Sequence, residues 1–302
     1  MPLALIGAPT SLGAFAPGQE QAPRALREAG LRADADFGDI ALRRWRPDRE
    51  HRRAQNAAGV AEAAREVAER VEAAYRAGMT PVVLGGDCTV GIGTVAGTQA
   101  AGERVGLVYF DMHPDLNTPE TVVEGTLDWM GVAHMLGLPG TVPEVAGIAR
   151  LEPDQVLLFA RQEDQTRRAE REAIEAHGIE SIMVEEVAAD PRGAAARTAR
   201  RFDRYLVHFD VDVIDFVDLP LSENTGHNIG LPFAAACAAL EVLLTGPGFA
   251  GLTVTEHNPA HGAKDGSTTA ALAAALQRAL SCAASRPSGA PQSSIEGGAG
   301  MP

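Results

Sequence analysis

Short apolar runs alternate with longer amphipathic stretches along this chain. Residues 3–6 are an apolar run stopped by Gly7, and runs of the same kind occupy 81–84, 105–110, 156–159, 181–184, 205–209 and 252–255. A weaker one ends at Asp39, after Phe37 and Gly38. Short continuous apolar runs read as strands buried on both faces. Between them lie segments with helical spacing. Residues 21–29 are closed by Gly30, and 54–77 carry Val60, Ala64, Val67, Val71 and Ala74 on one face. A glycine-rich helix is expected over 89–101, a charged one over 165–177 capped by Gly178, and others over 193–204, 232–244 and 268–284. Regular alternation of this kind predicts a mainly parallel sheet with helices on both faces. No internal repeat or linker interrupts it, so one domain is expected across 1–284. The Ser/Gly/Pro-rich segment 285–302 reads as a disordered tail.

The strand ends carry the chemistry. The run 105–110 leads into Asp111, His113 and Asp115, and alternate residues of an extended segment point the same way. The run 205–209 leads into Asp210 and Asp212. Two such ends supply enough oxygen and imidazole donors to hold a pair of divalent cations. Asp87 and Cys88, Arg161 and Glu256 follow three further strands. In open α/β sheets ligands bind beyond the carboxyl ends of the strands, so these groups describe one site. The stretch 114–131 reads as a long loop, a length that points to function. Asp87 and Asp215 read as turn residues or as groups that support the ligands, and His227 as a surface-loop histidine, the other reading being one that lines the pocket. The charges over 165–175 read as a solvated helix face.

Composition narrows the partners. The 302 residues are 45% hydrophobic and 22% charged, enough for a sizeable core. A net charge of -14 argues against nucleic acid, which needs basic clusters. No apolar run is long enough for a bilayer and no signal peptide is evident, so a cytoplasmic protein is expected. The three cysteines, Cys88, Cys237 and Cys282, are sparse and odd in number, as in a reduced compartment. Cys237 and Cys282 fall in Ala-rich helices and read as core.

Taken in order, the motifs resemble the arginase and agmatinase (ureohydrolase) family. The opening Ile6-Gly7-Ala8-Pro9, with Ser11 and Gly13, is similar to an arginase N-terminus. Gly85-Gly86-Asp87-Cys88 resembles GGDH. Asp111-Met112-His113-Pro114-Asp115 with Asn117-Thr118-Pro119 resembles DxHxDxNTP. Asp210-Val211-Asp212 with Asp215 resembles DxDxxD, and Glu256-His257-Asn258-Pro259 resembles the late ExNP. The resemblance implies a three-layer αβα sandwich on a mainly parallel sheet of roughly eight strands. It implies a homo-oligomer, trimer or hexamer, that cleaves a guanidino C–N bond to release urea or a urea derivative. It implies two Mn(II) per chain held by Cys88, Asp111, His113, Asp115, Asp210 and Asp212. Asp115 is then also a proton acceptor, Glu256 orients the guanidinium, and Asn117, Glu124, Thr126 and Asp164 contact substrate.

Three departures qualify this. Cys88 stands where the family has a histidine ligand, and a thiolate favours Zn(II) or Fe(II); the other reading is a buried, inert cysteine. Asp128 replaces the histidine that shuttles a proton to the leaving amine, and serves as the acid only if burial raises its pKa. His134 is a second candidate, or a structural histidine. Glu124 replaces a serine, and Arg167 replaces an acid beside the Asp164 position, so the substrate's tail is expected to differ from that of free arginine. The alternatives are a single-zinc amide hydrolase of deacetylase type, a thiol amidinohydrolase using Cys88, and a catalytically impaired binding relative.

Overall fold

The structure is a computed structural model and describes residues 1–285. Its frame is one eight-stranded sheet. The strands are β1 (Leu3–Gly7), β2 (Ala35–Asp39), β3 (Thr80–Leu84), β4 (Gly106–Phe110), β5 (Val156–Arg161), β6 (Glu180–Met183), β7 (Tyr205–Asp210) and β8 (Phe249–Thr255), in the order β2-β1-β3-β8-β7-β4-β5-β6. Every neighbouring pair is parallel. The six inner strands are buried at every residue, which is why they read as unbroken apolar runs. The edge strands β2 and β6 are partly exposed, and the acids of β2 are occupied by Arg27, at 2.8 Å from Asp36 and 2.7 Å from Asp39. Short, charged edges of this kind resist pairing with another chain.

Helices cover both faces. Val108 and Phe110 of β4, with Val207 and Phe209 of β7, pack under α8 (Phe233–Thr245) and α9 (Ser267–Ala284). Leu107 and Tyr109 face the other layer, which contains α2 (Ala57–Arg76), α3 (Val90–Ala100) and α4 (Gly131–Leu136). The glycines of α3 have a packing reason. A Cβ at Gly93 would lie 2.5 Å from the Ala64 carbonyl oxygen of α2, so the two helix backbones can approach only without one. The remaining helices are α1 (Ala22–Glu28), α5 (Arg168–His177), α6 (Val184–Ala189) and α7 (Pro191–Thr198).

Several expectations shift. The 114–131 loop contains a short 3-10 turn at Asp128–Met130 and runs directly into α4, which the sequence reading did not anticipate. The strand expected at 181–184 ends at Met183, because Val184 opens α6, also unanticipated. The helix expected at 193–204 begins at Pro191, capped by Asp190, whose side chain accepts from Gly193 N, and ends at Thr198. Cys282 is exposed on α9 instead of lying in the core, and Cys237 is intermediate. The expected tail, 285–302, lies outside the described residues apart from Ser285.

Candidate metal centre

The four middle strands are β3, β8, β7 and β4, and their carboxyl ends meet. Cys88 follows β3, Glu256 follows β8, Asp210 and Asp212 close β7, and Asp111, His113 and Asp115 follow β4. Sequence-distant groups thus become neighbours. One donor atom each from Asp111, His113 and Asp212 lie within 4.8 Å of one another. His113 Nδ1 stands 3.1 Å from Asp212 Oδ2 and 3.4 Å from Asp111 Oδ1. Cys88 Sγ stands 2.9 Å from Asp210 Oδ2. Two turns aim the acids. Asp111 Oδ1 accepts from the His113 backbone N–H at 2.7 Å, and Asp210 Oδ1 from that of Asp212 at 2.7 Å. Each turn occupies one oxygen and leaves the other for a ligand.

Asp210 Oδ2 meets Cys88 Sγ, whereas other acid oxygens at the site are short of partners. Asp111 Oδ2, Asp212 Oδ1 and Asp128 Oδ1 are buried with no hydrogen-bond partner. An unpaired buried carboxylate is costly. Burial, then the charge of Asp212, lifts Asp111 to about 6. Burial and Asp111 push Asp115 well above the usual range, and burial with Asp212 does the same to Asp210. Burial and Asp87 raise Glu256. Asp212 goes the other way: burial opposes its charge, but the His113 cation outweighs that and holds it down. A crowd of acids that repel one another fits divalent cations, whose charge reverses these shifts. The donors present therefore suit divalent metal.

The backbone is strained at two of these positions. Asp115 has φ 48° and Glu256 φ 63°, both in the left-handed region. Non-glycine residues held there cluster at functional sites. The Tyr109 hydroxyl donates to Asp115. Glu256 accepts from Cys88 N at 3.0 Å and from the Gln19 amide at 3.1 Å. The loop before Cys88 is equally tight. A Cβ at Gly86 would collide with the Thr10 carbonyl. Gly86→Ala is expected to lower stability by about 1–3 kcal/mol, read as a fall in melting temperature. An unchanged melting temperature would show that the loop can yield.

Cys88, His113, Asp115, Asp210, Asp212 and Glu256 form the floor of a cavity of about 480 Å³, whose walls include Phe15, Asn117, Asp128, Trp129, Arg167, Glu170, Glu223 and His261. Asn117 donates to Glu170 at 2.7 Å and accepts from the Thr121 hydroxyl at 3.1 Å, so its amide is fixed. Glu170 corrects the expectation of a solvated helix face: it is 2% exposed, while its neighbours Arg168 and Arg171 are exposed. Arg167 lies over the Trp129 ring, 5.0 Å from its centroid. It is the one Lys or Arg among the described lining residues.

Three expected substrate contacts lie elsewhere. Glu124 is exposed, and its carbonyl is engaged by Gln55 at 2.7 Å; Thr126 is buried outside the cavity lining; Asp164 is exposed on the turn Glu163–Gln165. Arg161 is held by Thr166 at 2.8 Å and Glu163 at 2.8 Å and does not line the cavity either. His134 is structural: its Nδ1 meets the Met130 carbonyl at 2.7 Å and its Nε2 accepts from Val142 N at 3.1 Å. Asp87 and Asp215 act as turn residues, accepting from Gly13 N and Val217 N. His227 is exposed and stacks on Phe216. As for a thiol nucleophile, burial and then Asp210 and Glu256 push the Cys88 thiol well above its usual value, away from a free thiolate.

The model of the arginase family matches residues 1–282. The arginase of Bacillus caldovelox is 31% identical over 294 residues, covering 90% of this chain and 96% of that protein. A solved structure of Bacillus caldovelox arginase superposes with a TM-score of 0.79 at 27% identity, over 95% of this chain and 99% of that one. The formimidoylglutamase of Bacillus subtilis shares the fold at a TM-score of 0.74 and 19% identity, over 94% and 87%. The fold is therefore shared by proteins of different named activity. No helix among the described residues is long and apolar enough to cross a membrane. A carboxylate-rich floor at the middle of an all-parallel sheet and a family match over almost the whole chain agree, and this protein belongs to the arginase family of metal-dependent amidinohydrolases.

Proposed function

We propose that this protein is a binuclear metal hydrolase that cleaves a C–N bond of a guanidino compound bearing a carboxylate tail. Two donor clusters sharing Asp111 carry the reading: Asp111, His113 and Asp212 form one, and Cys88 and Asp111 belong to the other. Two clusters, where a single-zinc hydrolase needs one, favour the binuclear alternative. Cys88, Asp111, His113, Asp115, Asp210 and Asp212 would hold the ions. The carboxylates suit Mn(II), and the thiolate admits Zn(II) or Fe(II) at its own position. When bound, the ions would supply a water activated as a nucleophile near neutral pH.

The chain's own residues do the rest. Glu256 faces the cavity as an acid held in a fixed direction by Cys88 N and Gln19, and it receives the cationic guanidinium. Asp115, steadied by Tyr109, accepts a proton from the attacking water. As the C–N bond to the tail breaks, the departing nitrogen takes a proton from Asp128. Asn117 presents a fixed amide to the substrate's tail. Glu124, Thr126 and Asp164 are not assigned to substrate contact, because the cavity lining omits them.

The tail assignment rests on Arg167. The floor is anionic and suits guanidinium; the wall cation at Arg167 suits an anion. Urea release should be measured with arginine, N-hydroxyarginine (as hydroxyurea), agmatine, guanidinobutyrate and guanidinopropionate. The ω-guanidino acids are expected to exceed agmatine, and Arg167→Glu to cut kcat/KM for them about tenfold, a charge-assisted hydrogen bond at a partly exposed site. Agmatine as the best substrate, unaffected by Arg167→Glu, would reject the tail while leaving the reaction class intact. Silence across the panel with metal bound would reject the reaction class.

A further inference from the structure

Three buried histidines on this fold invite comparison. His134 has both ring nitrogens engaged, and His257 meets the Leu221 carbonyl at 2.9 Å and Thr269 Oγ1 at 3.1 Å. Each is satisfied by protein alone. His208 on β7 is not. It is 1% exposed, its Nε2 lies 3.1 Å from Thr255 Oγ1, and its Nδ1 has no partner. Buried polar groups are rarely left so, and each exception calls for a physical reason.

The surroundings of His208 point to one. It precedes Asp210 by two residues on the same strand, so both side chains emerge on one face. Thr255 Oγ1, its partner, is 3.3 Å from Cys88 Sγ, which is 2.9 Å from Asp210 Oδ2. One donor atom each from Cys88, Asp111 and His208 lie within 4.8 Å of one another. The ring is clamped flat against Tyr109, with centroids 4.3 Å apart and planes 12° apart. Gly91 leaves room for the ring, since a Cβ there would lie 2.7 Å from Nδ1. The imidazole is thus held in a fixed orientation beside Cys88 and Asp111.

We infer that His208 is a metal ligand, joining Cys88, Asp111 and Asp210 in a site softer than the neighbouring Asp111–His113–Asp212 site. The inference rests on the binuclear reading and sharpens it. The metal pair is chemically unequal. A thiolate and an imidazole at one position select Zn(II), Co(II) or Fe(II), whereas carboxylates and one imidazole at the other accept Mn(II). Here the β7 strand supplies an imidazole at the position where the β3 loop offers sulfur. Nothing in sequence marks it, because His208 sits inside an apolar strand.

The test is Co(II) titration of metal-free protein, followed by absorption, with X-ray absorption on the protein loaded with one equivalent. The first equivalent is expected to give a thiolate-to-cobalt charge-transfer band, with sulfur and imidazole together in the coordination shell. In His208→Gln the band should persist with altered d–d absorption, and affinity for that equivalent should fall at least about tenfold, as ligand-sphere losses do. Wild-type protein showing sulfur but no imidazole at this ion would overturn the role of His208 without any variant. A His208→Gln protein with unchanged affinity and spectrum would overturn it too, and in both cases the metal reading stands. Wild-type protein that takes up no Co(II) would overturn the metal reading itself.

Discussion

Stripping the metal is expected to abolish turnover and to leave a protein whose melting temperature falls as the pH rises. Loss of activity should exceed about a thousandfold, since bound ions supply several kcal/mol of transition-state stabilisation. Asp111→Ala and Asp212→Ala should reproduce it. The pH trend follows from the sign of the shifts. A carboxyl whose folded pKa is raised costs nothing below its unfolded value, and its cost grows as pH rises past that value. Asp87 and Asp111 lie at about 6, so their cost is complete just above that. Asp115, Asp128, Asp210 and Glu256 are pushed further and go on losing stability at higher pH. His113, raised by Asp212 against the opposing effect of burial, stabilises at low pH and adds to the same trend. Burial lowers His208 to about 3 and His257 to about 4, which opposes the trend only below the unfolded histidine value of about 6.5. Between about pH 7 and about pH 8.5 the raised acids therefore act unopposed by these histidines, and Asp212, held low by His113, has completed its contribution far below that window. Calorimetry over that window should show metal-free protein losing melting temperature while Mn(II)-loaded protein does not. A flat metal-free profile would mean that the acids are not held against one another as the geometry indicates.

The same acids show what a sequence can reveal. Asp111, His113, Asp210 and Asp212 were legible because each follows an unbroken apolar run, and an acid just past a buried strand has few other reasons to be there. The parallel sheet was legible for the same reason: strands covered on both faces carry no polar alternation. What was hidden depended on strand order. His208 looks like core until β7 is placed between β4 and β8, which puts it against Tyr109 and Thr255. Glu170 looks solvated among Arg168, Arg171 and Glu172 until α5 turns it toward Leu116 and Asn117. The helices α4 and α6 were missed because each has only six residues, too few to display a period. Glu124 and Asp164 were placed at the substrate by motif position alone, and the backbone carries them outward.

Asp128→Asn is expected to lower kcat by about a hundredfold to ten-thousandfold while changing KM little. The carboxyl is 4% exposed and lines the cavity wall. In the metal-free chain burial, then the charges of Glu256, Asp87 and Asp115, push its pKa well above the usual range; Asp128 is not among the metal ligands, and burial, the leading cause, persists when metal binds, which keeps a proton on it. Its Oδ1 has no protein partner, which leaves that proton for the substrate. An amide of the same shape fills the space and can donate a hydrogen bond, but it cannot transfer a proton to a departing amine. The loss should thus fall on kcat, and the alkaline limb of the rate profile, where Asp128 ionises, should vanish with it. Stability should not fall in parallel: a neutral amide removes one member of a mutually repelling set, so the melting temperature is expected to hold or rise. Asp128→His, the residue that the family resemblance places here, should recover part of kcat with a different pH dependence, because imidazole can also deliver a proton. An Asp128→Asn protein with undiminished kcat would show that the leaving nitrogen draws its proton from elsewhere, and His261 on the same wall would then be the group to remove next.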